Sequence, residues 1–78
     1  MQPDRIKLIW DFKGNDALHT AQHHQIHLDE YVEMKKISNT ESGFQQLSEF
    51  HSIAFLTVDK ENMIAVRDAL KPHRGEVG

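Results

Sequence analysis

The segment Ile53-Ala54-Phe55-Leu56-Thr57-Val58 is apolar on both faces that a β-strand presents, with Ile53, Phe55 and Thr57 on one and Ala54, Leu56 and Val58 on the other. A strand of that kind needs cover on both faces. Arg5 to Lys13 also reads as a strand, with Ile6, Leu8, Trp10 and Phe12 on an apolar face and Lys7, Ile9, Asp11 and Lys13 on the other.

Gly14-Asn15-Asp16 breaks the strand that ends at Lys13 and offers Asn15 or Asp16 as a helix N-cap. The spacing then predicts a helix to about Lys36, with Leu18, Ala21, Gln25, Leu28 and Val32 on the stripe that meets the sheet. Ser38 to Gly43 is a run of turn formers and reads as a loop, and Phe44 to Phe50 reads as a short polar strand suited to an edge. Asp59 is placed to cap a second helix, ended at Leu70 by Pro72, with Met63, Val66, Ala69 and Leu70 inward. His73 to Gly78 has the length of a frayed tail or a brief final strand. Strand, helix, strand, strand, helix with right-handed crossovers predicts an α+β, ferredoxin-like split βαβ sandwich: an antiparallel sheet with two helices on one face.

At 78 residues the chain is expected to form a single domain over 1–78, with its core in about residues 5–72. A core of that size supplies roughly 3–5 kcal/mol, and the absence of cysteine removes disulfides, thiolate nucleophiles and Cys-based zinc sites as supplements or chemistry. The net charge is −3 and the basic residues are dispersed among acidic ones, so a nucleic-acid partner is not expected. No apolar run approaches the roughly 20 residues that span a bilayer. Met1-Gln2-Pro3-Asp4-Arg5 has no apolar stretch of a leader, which makes the cytoplasm the expected compartment. The sheet face without helices is expected to carry Ile9 with Leu56 and Val58 or their alternates, interrupted by Lys7 and Asp11. That predicts a second copy as its cover, a homodimer.

The run Ile6-Lys7-Leu8-Ile9-Trp10-Asp11-Phe12, then a long helix, then Glu49-Phe50-His51 leading into Ala54-Phe55-Leu56-Thr57-Val58-Asp59, resembles the dimeric α/β-barrel superfamily, in particular its short uncharacterised members, over about residues 5–72. The resemblance implies two ferredoxin-like chains packed sheet to sheet. That superfamily includes monooxygenases, dismutases, isomerases and binding proteins, so the resemblance implies no single reaction.

His19, His23, His24 and His27 crowd the first helix. His19, His23 and His27 recur at i, i+4 and i+8, and two such imidazoles can hold zinc, nickel or copper when Glu30, His51 or a twofold mate adds a third ligand. His24, not glutamate, follows His23, so the zinc-peptidase pattern is missing, and a solvated polar face is the plainer reading of the stripe. His24 lies about 60° from His27, toward the sheet. With Trp10, Tyr31 and His51 it is expected to border a small-molecule groove between the first helix and the sheet. Trp10 also fits the core beside Leu8 and Phe12.

Asp11 stands on the opposite strand face and needs a partner, which His51 or Lys7 can be. Asp11, His51 and His24 are therefore the candidate acid/base residues, with an interface salt link as the alternative for the Asp11–His51 pair. Lys71-Pro72-His73-Arg74-Gly75 reads as a solvated basic tail, with anion binding by His73 and Arg74 as the alternative, which the negative end of the second helix opposes. The leading expectation is a small homodimeric ligand-binding domain with no cofactor. Beside it stand a cofactor-independent acid/base enzyme, a histidine-rich transition-metal protein and a plain dimerisation module.

Overall fold

The structure, a computed structural model, describes residues 5–77; Met1 to Asp4, read above for a leader, and Gly78 lie outside them. In chain order it has β1 (Arg5–Lys13), α1 (Ala17–Lys35), β2 (Glu41–Ser48), β3 (His51–Asp59), α2 (Lys60–Leu70) and β4 (Arg74–Val77). The sheet runs β2-β3-β1-β4 with every neighbouring pair antiparallel. This is the α+β, ferredoxin-like arrangement that the alternation predicts, and the final strand is formed. Among the described residues no helix is long and apolar enough to cross a membrane.

The register of β1 on β3 explains the core. Ile6 stands opposite Val58, Leu8 opposite Leu56 and Trp10 opposite Ala54, so these side chains share the helix face. There they meet Ala21 and Leu28 of α1 and Val66 of α2 in one buried cluster. Trp10 also donates its indole N–H to the carbonyl of Leu70 at 2.9 Å, which ties β1 to the last turn of α2. The two helices fill their share unequally. α1 buries Ala17, Ala21 and Leu28 and half-buries Leu18, Gln25 and Val32, whereas α2 buries Val66, half-buries Met63 and Leu70, and leaves Ala69 exposed.

β2 begins at Glu41, inside the run expected to be a loop. Two tertiary contacts override the turn-forming composition. The Ser42 hydroxyl donates to the Asp29 carboxylate and receives the Gln25 amide at 3.5 Å, holding the strand to α1. Gly43 lies under the Phe55 ring, so close that a Cβ there would sit 2.5 Å from Cζ of that ring.

On the open face of the sheet, β3 presents the alternates of Leu56 and Val58, the second of the two expected sets. Leu56 and Val58 belong to the helix face, and the open face carries Ile9, Ile53, Phe55 and Thr57 with Lys7 and Asp11. Ile9, Ile53 and Thr57 are only 2%, 4% and 6% exposed within one chain. The Phe55 ring lies against Gly43 of β2, and the Lys7 ammonium stands 4.3 Å from its centroid. Much of the cover that the sequence assigns to a second copy is thus supplied by the chain's own side chains.

Candidate functional site

Strand β1 presents chemistry on both faces, and the residues that open β4 join the two sides. On the open face the register places Asp11 opposite Ile53 and His51 opposite Lys13, which makes Asp11 and His51 diagonal neighbours. His51 Nε2 lies 2.9 Å from Asp11 Oδ1. Arg74, opposite Ile9, donates Nε to Asp11 Oδ2 at 3.0 Å and Nη2 to Oδ1 at 3.2 Å, a bidentate fork, and its Nη1 to Glu76 at 3.2 Å. A carboxylate only accepts, so the His51 proton sits on Nε2, and Nδ1 of the neutral ring is left as a base or acceptor. Lys7, the other partner considered for Asp11, is drawn to Phe55.

The Arg74 hydrogen bond holds the Asp11 carboxyl down at about 2, against a desolvation cost that raises it, with His51 and the two partners' charges adding to the lowering. The ordinary value is 3.8, so between these two values the unfolded chain binds the proton more readily than the folded one. Stability from this site is therefore complete above pH 3.8 and is lost as pH falls toward 2. The Asp11 side chain is 21% exposed and Arg74 43%, so solvent screening keeps the contribution small. The expected result in urea denaturation is that Asp11→Asn is less stable than the parent at neutral pH and close to it near pH 2. Equal gaps at both pH values would show that the carboxylate charge contributes nothing.

Around the edge of β1, His73 performs the work of a missing strand residue. Its backbone N–H donates to the Ile9 carbonyl at 2.9 Å, and its ring Nδ1 accepts the Asp11 backbone N–H at 2.8 Å. Because Nδ1 accepts, the proton of the neutral ring is on Nε2. A line of rings continues from there across the helix face: His73 to Phe12 at 6.4 Å, Phe12 to His24 at 5.4 Å, and His24 to Trp10 at 4.9 Å between centroids. Burial lowers the pKa of His24, with the charges of His27 and His73 adding to it, so the ring is neutral. Its Nε2 and the Ser52 hydroxyl are buried with no hydrogen-bond partner.

Beneath α2, where the helix fills least, the helix face opens into a groove of about 410 Å³ between α2, β1 and β4. Ile6, Leu8, Met63 and Pro72 give it apolar walls, and Arg67, His73, Arg74 and Glu76 are the polar residues along its lining. Gly75, opposite Leu8, forms part of its floor. No positive φ requires glycine there, and a Cβ would meet the Ile6 and Leu8 methyls at an ordinary 3.6 Å. The missing side chain leaves space that the backbone does not demand.

Of the residues expected to line one groove, Trp10, His24 and Tyr31 are on the helix face and His51 is on the open face, so the sheet separates them. None of the four lines the groove under α2. Asp11 and His51 are together, with His24 across the sheet from both. Sequence reasoning missed Arg67 and Gly75, and it gave His73 and Arg74 to a solvated tail with an anion site as the lesser reading. The His19 and His23 rings meet edge to face at 4.7 Å, while His27 Nδ1 lies 3.3 Å from Glu30. An i, i+8 pair is about 12 Å apart along a helix, too far for the three to share an ion. His51, one expected third ligand, stands across the sheet. Among the described residues no group of three or more His, Asp or Glu is placed to hold a metal.

No family model matches this chain, and no curated protein or solved structure is significantly similar to it, so any function must be argued from its own residues.

Proposed function

We propose that the chain is a small-molecule-binding domain of the dimeric α/β-barrel type, holding its ligand on the helix side of the sheet in the groove under α2, with the open faces of two copies turned toward each other. The observation that carries this reading is a space of about 410 Å³ with apolar walls and a glycine in its floor, within the size range of ligand sites. α1 packs on the sheet with three buried side chains, whereas α2, beside the groove, buries one. The unpartnered Nε2 of His24, two rings from His73, adds a polar group on the same face.

Nile red, a neutral apolar fluorophore, is expected to bind saturably at one site per chain. Gly75→Leu, whose side chain occupies the floor between Ile6 and Leu8, is expected to weaken that binding about tenfold or more while the circular dichroism spectrum is retained. Unsaturable fluorescence, or equal binding by the folded variant, would remove the groove as the site.

A further inference from the structure

We infer that the groove takes a small apolar monoacid, a hydrocarbon chain or ring ending in one carboxylate, and that Arg67 and the Nε2–H of His73 receive the carboxylate. This rests on the ligand-binding reading above and adds the chemistry of the ligand.

The inference follows from which charges the groove keeps for itself. Arg67, Arg74 and Glu76 are the charged residues along its lining. Arg74 and Glu76 share the register of Ile9 and Lys7, so their side chains stand on the open face, where Arg74 is spent on Asp11 and Glu76 is paired with Arg74. Arg67 remains. Its one hydrogen-bonded partner among the described residues is Asp68, the next residue in the chain, at 3.4 Å, and both side chains are more than half exposed at 53% and 64%. Neighbouring residues on a helix point about 100° apart, so that contact leaves most of the guanidinium fork free.

His73 supplies the second donor for a reason set by the backbone. Its Nδ1 is committed as acceptor to the Asp11 N–H, so the ring has one remaining hydrogen-bonding atom, Nε2, and in the neutral tautomer that atom is a donor. Two donors and no free acidic side chain favour an anion. Ile6, Leu8 and Met63 offer nothing to a second charge, which would be desolvated without a partner, so the favoured ligand has one. A cation would meet Arg67 as a like charge, and an uncharged molecule would leave the fork unused.

The test is competition against Nile red by decanoate, decanol and decylammonium, each below its micelle concentration. Decanoate is expected to displace the fluorophore at about tenfold lower concentration than decanol, with decylammonium weakest. In Arg67→Gln the decanoate-to-decanol ratio is expected to fall close to one. The ratio is internal to each protein, so a general loss of stability does not imitate the effect. In the unaltered chain, added salt is expected to narrow it. Equal displacement by decanoate and decanol, or a tenfold ratio that survives Arg67→Gln, overturns the monoacid while leaving the groove in place. Failure of the parent to bind Nile red overturns the groove and the monoacid together.

Discussion

Leu56→Ala is expected to lower the stability of this chain by about 3 kcal/mol. Leu56 is fully buried in β3 and is paired with Leu8 of β1 on one side and Ser42 of β2 on the other. Its side chain belongs to the buried cluster to which α1 contributes Leu28 and α2 contributes Val66. A sheet strand hydrogen-bonded along both edges cannot shift inward to fill the space, so the cavity term adds to the lost transfer energy. Against the roughly 3–5 kcal/mol that a core of this size supplies, this change removes more than half. Urea denaturation is the direct measurement. A loss below about 1 kcal/mol would mean that the helices do not pack where the structure places them.

The second large effect is one of sign. In an open strand, replacing glycine by alanine stabilises by about 0.5–1 kcal/mol, because the unfolded chain loses freedom. Gly75→Ala is expected to follow that rule, since its Cβ has 3.6 Å to the nearest methyls. Gly43→Ala is expected to do the reverse and cost about 2 kcal/mol, because its Cβ would lie 2.5 Å from Cζ and 2.9 Å from Cε2 of Phe55. The ring must swing away, leaving the Lys7 ammonium without its π-face. Thermal melting reads the opposite signs of the two variants. Truncating the ring in Gly43→Ala/Phe55→Leu is expected to recover part of the loss, a favourable coupling in a double-mutant cycle. Additive losses would show that the ring does not lie over Gly43.

How far the sequence could be read depended on whether local pattern or distant contact decided each element. The alternation of Ile6, Leu8, Trp10 and Phe12 defines β1 and its buried face without help, and the apolar run around Leu56 defines β3 as a strand covered on both faces. β2 and β4 follow a different logic. Glu41-Ser42-Gly43 has the composition of a turn and becomes strand because Ser42 meets α1 and Gly43 receives a ring. β4 is four exposed residues including a glycine, held by Arg74 and His73 to a residue more than 60 positions away. No local period carries that information, so a strand was visible only as one of two options.

The candidate site divides in the same way. The alternation put Asp11 on the open face and named His51 as a partner, and the register brings them within 2.9 Å. It did not reveal that His51 lies across the sheet from Trp10 and His24, because that needs the parity of β3 relative to β1. The groove was illegible for another reason. It is defined by atoms that are absent, the bare floor at Gly75 and the thin inner face of α2, and hydrophobic spacing reports only what is present.

The uneven helices have a thermodynamic meaning. α1 closes its half of the sheet with its own side chains, whereas α2 commits one fully buried residue and stands over a hollow. A carbon chain lodged in that hollow would complete the core as an additional, removable side chain, touching α2 and β4 at once. Folding and occupancy then become one linked equilibrium, in which each tenfold rise in free ligand above its dissociation constant raises the unfolding free energy by about 1.4 kcal/mol. In a chain this short, the unoccupied and occupied forms would differ first in how long β4 stays on the edge of the sheet.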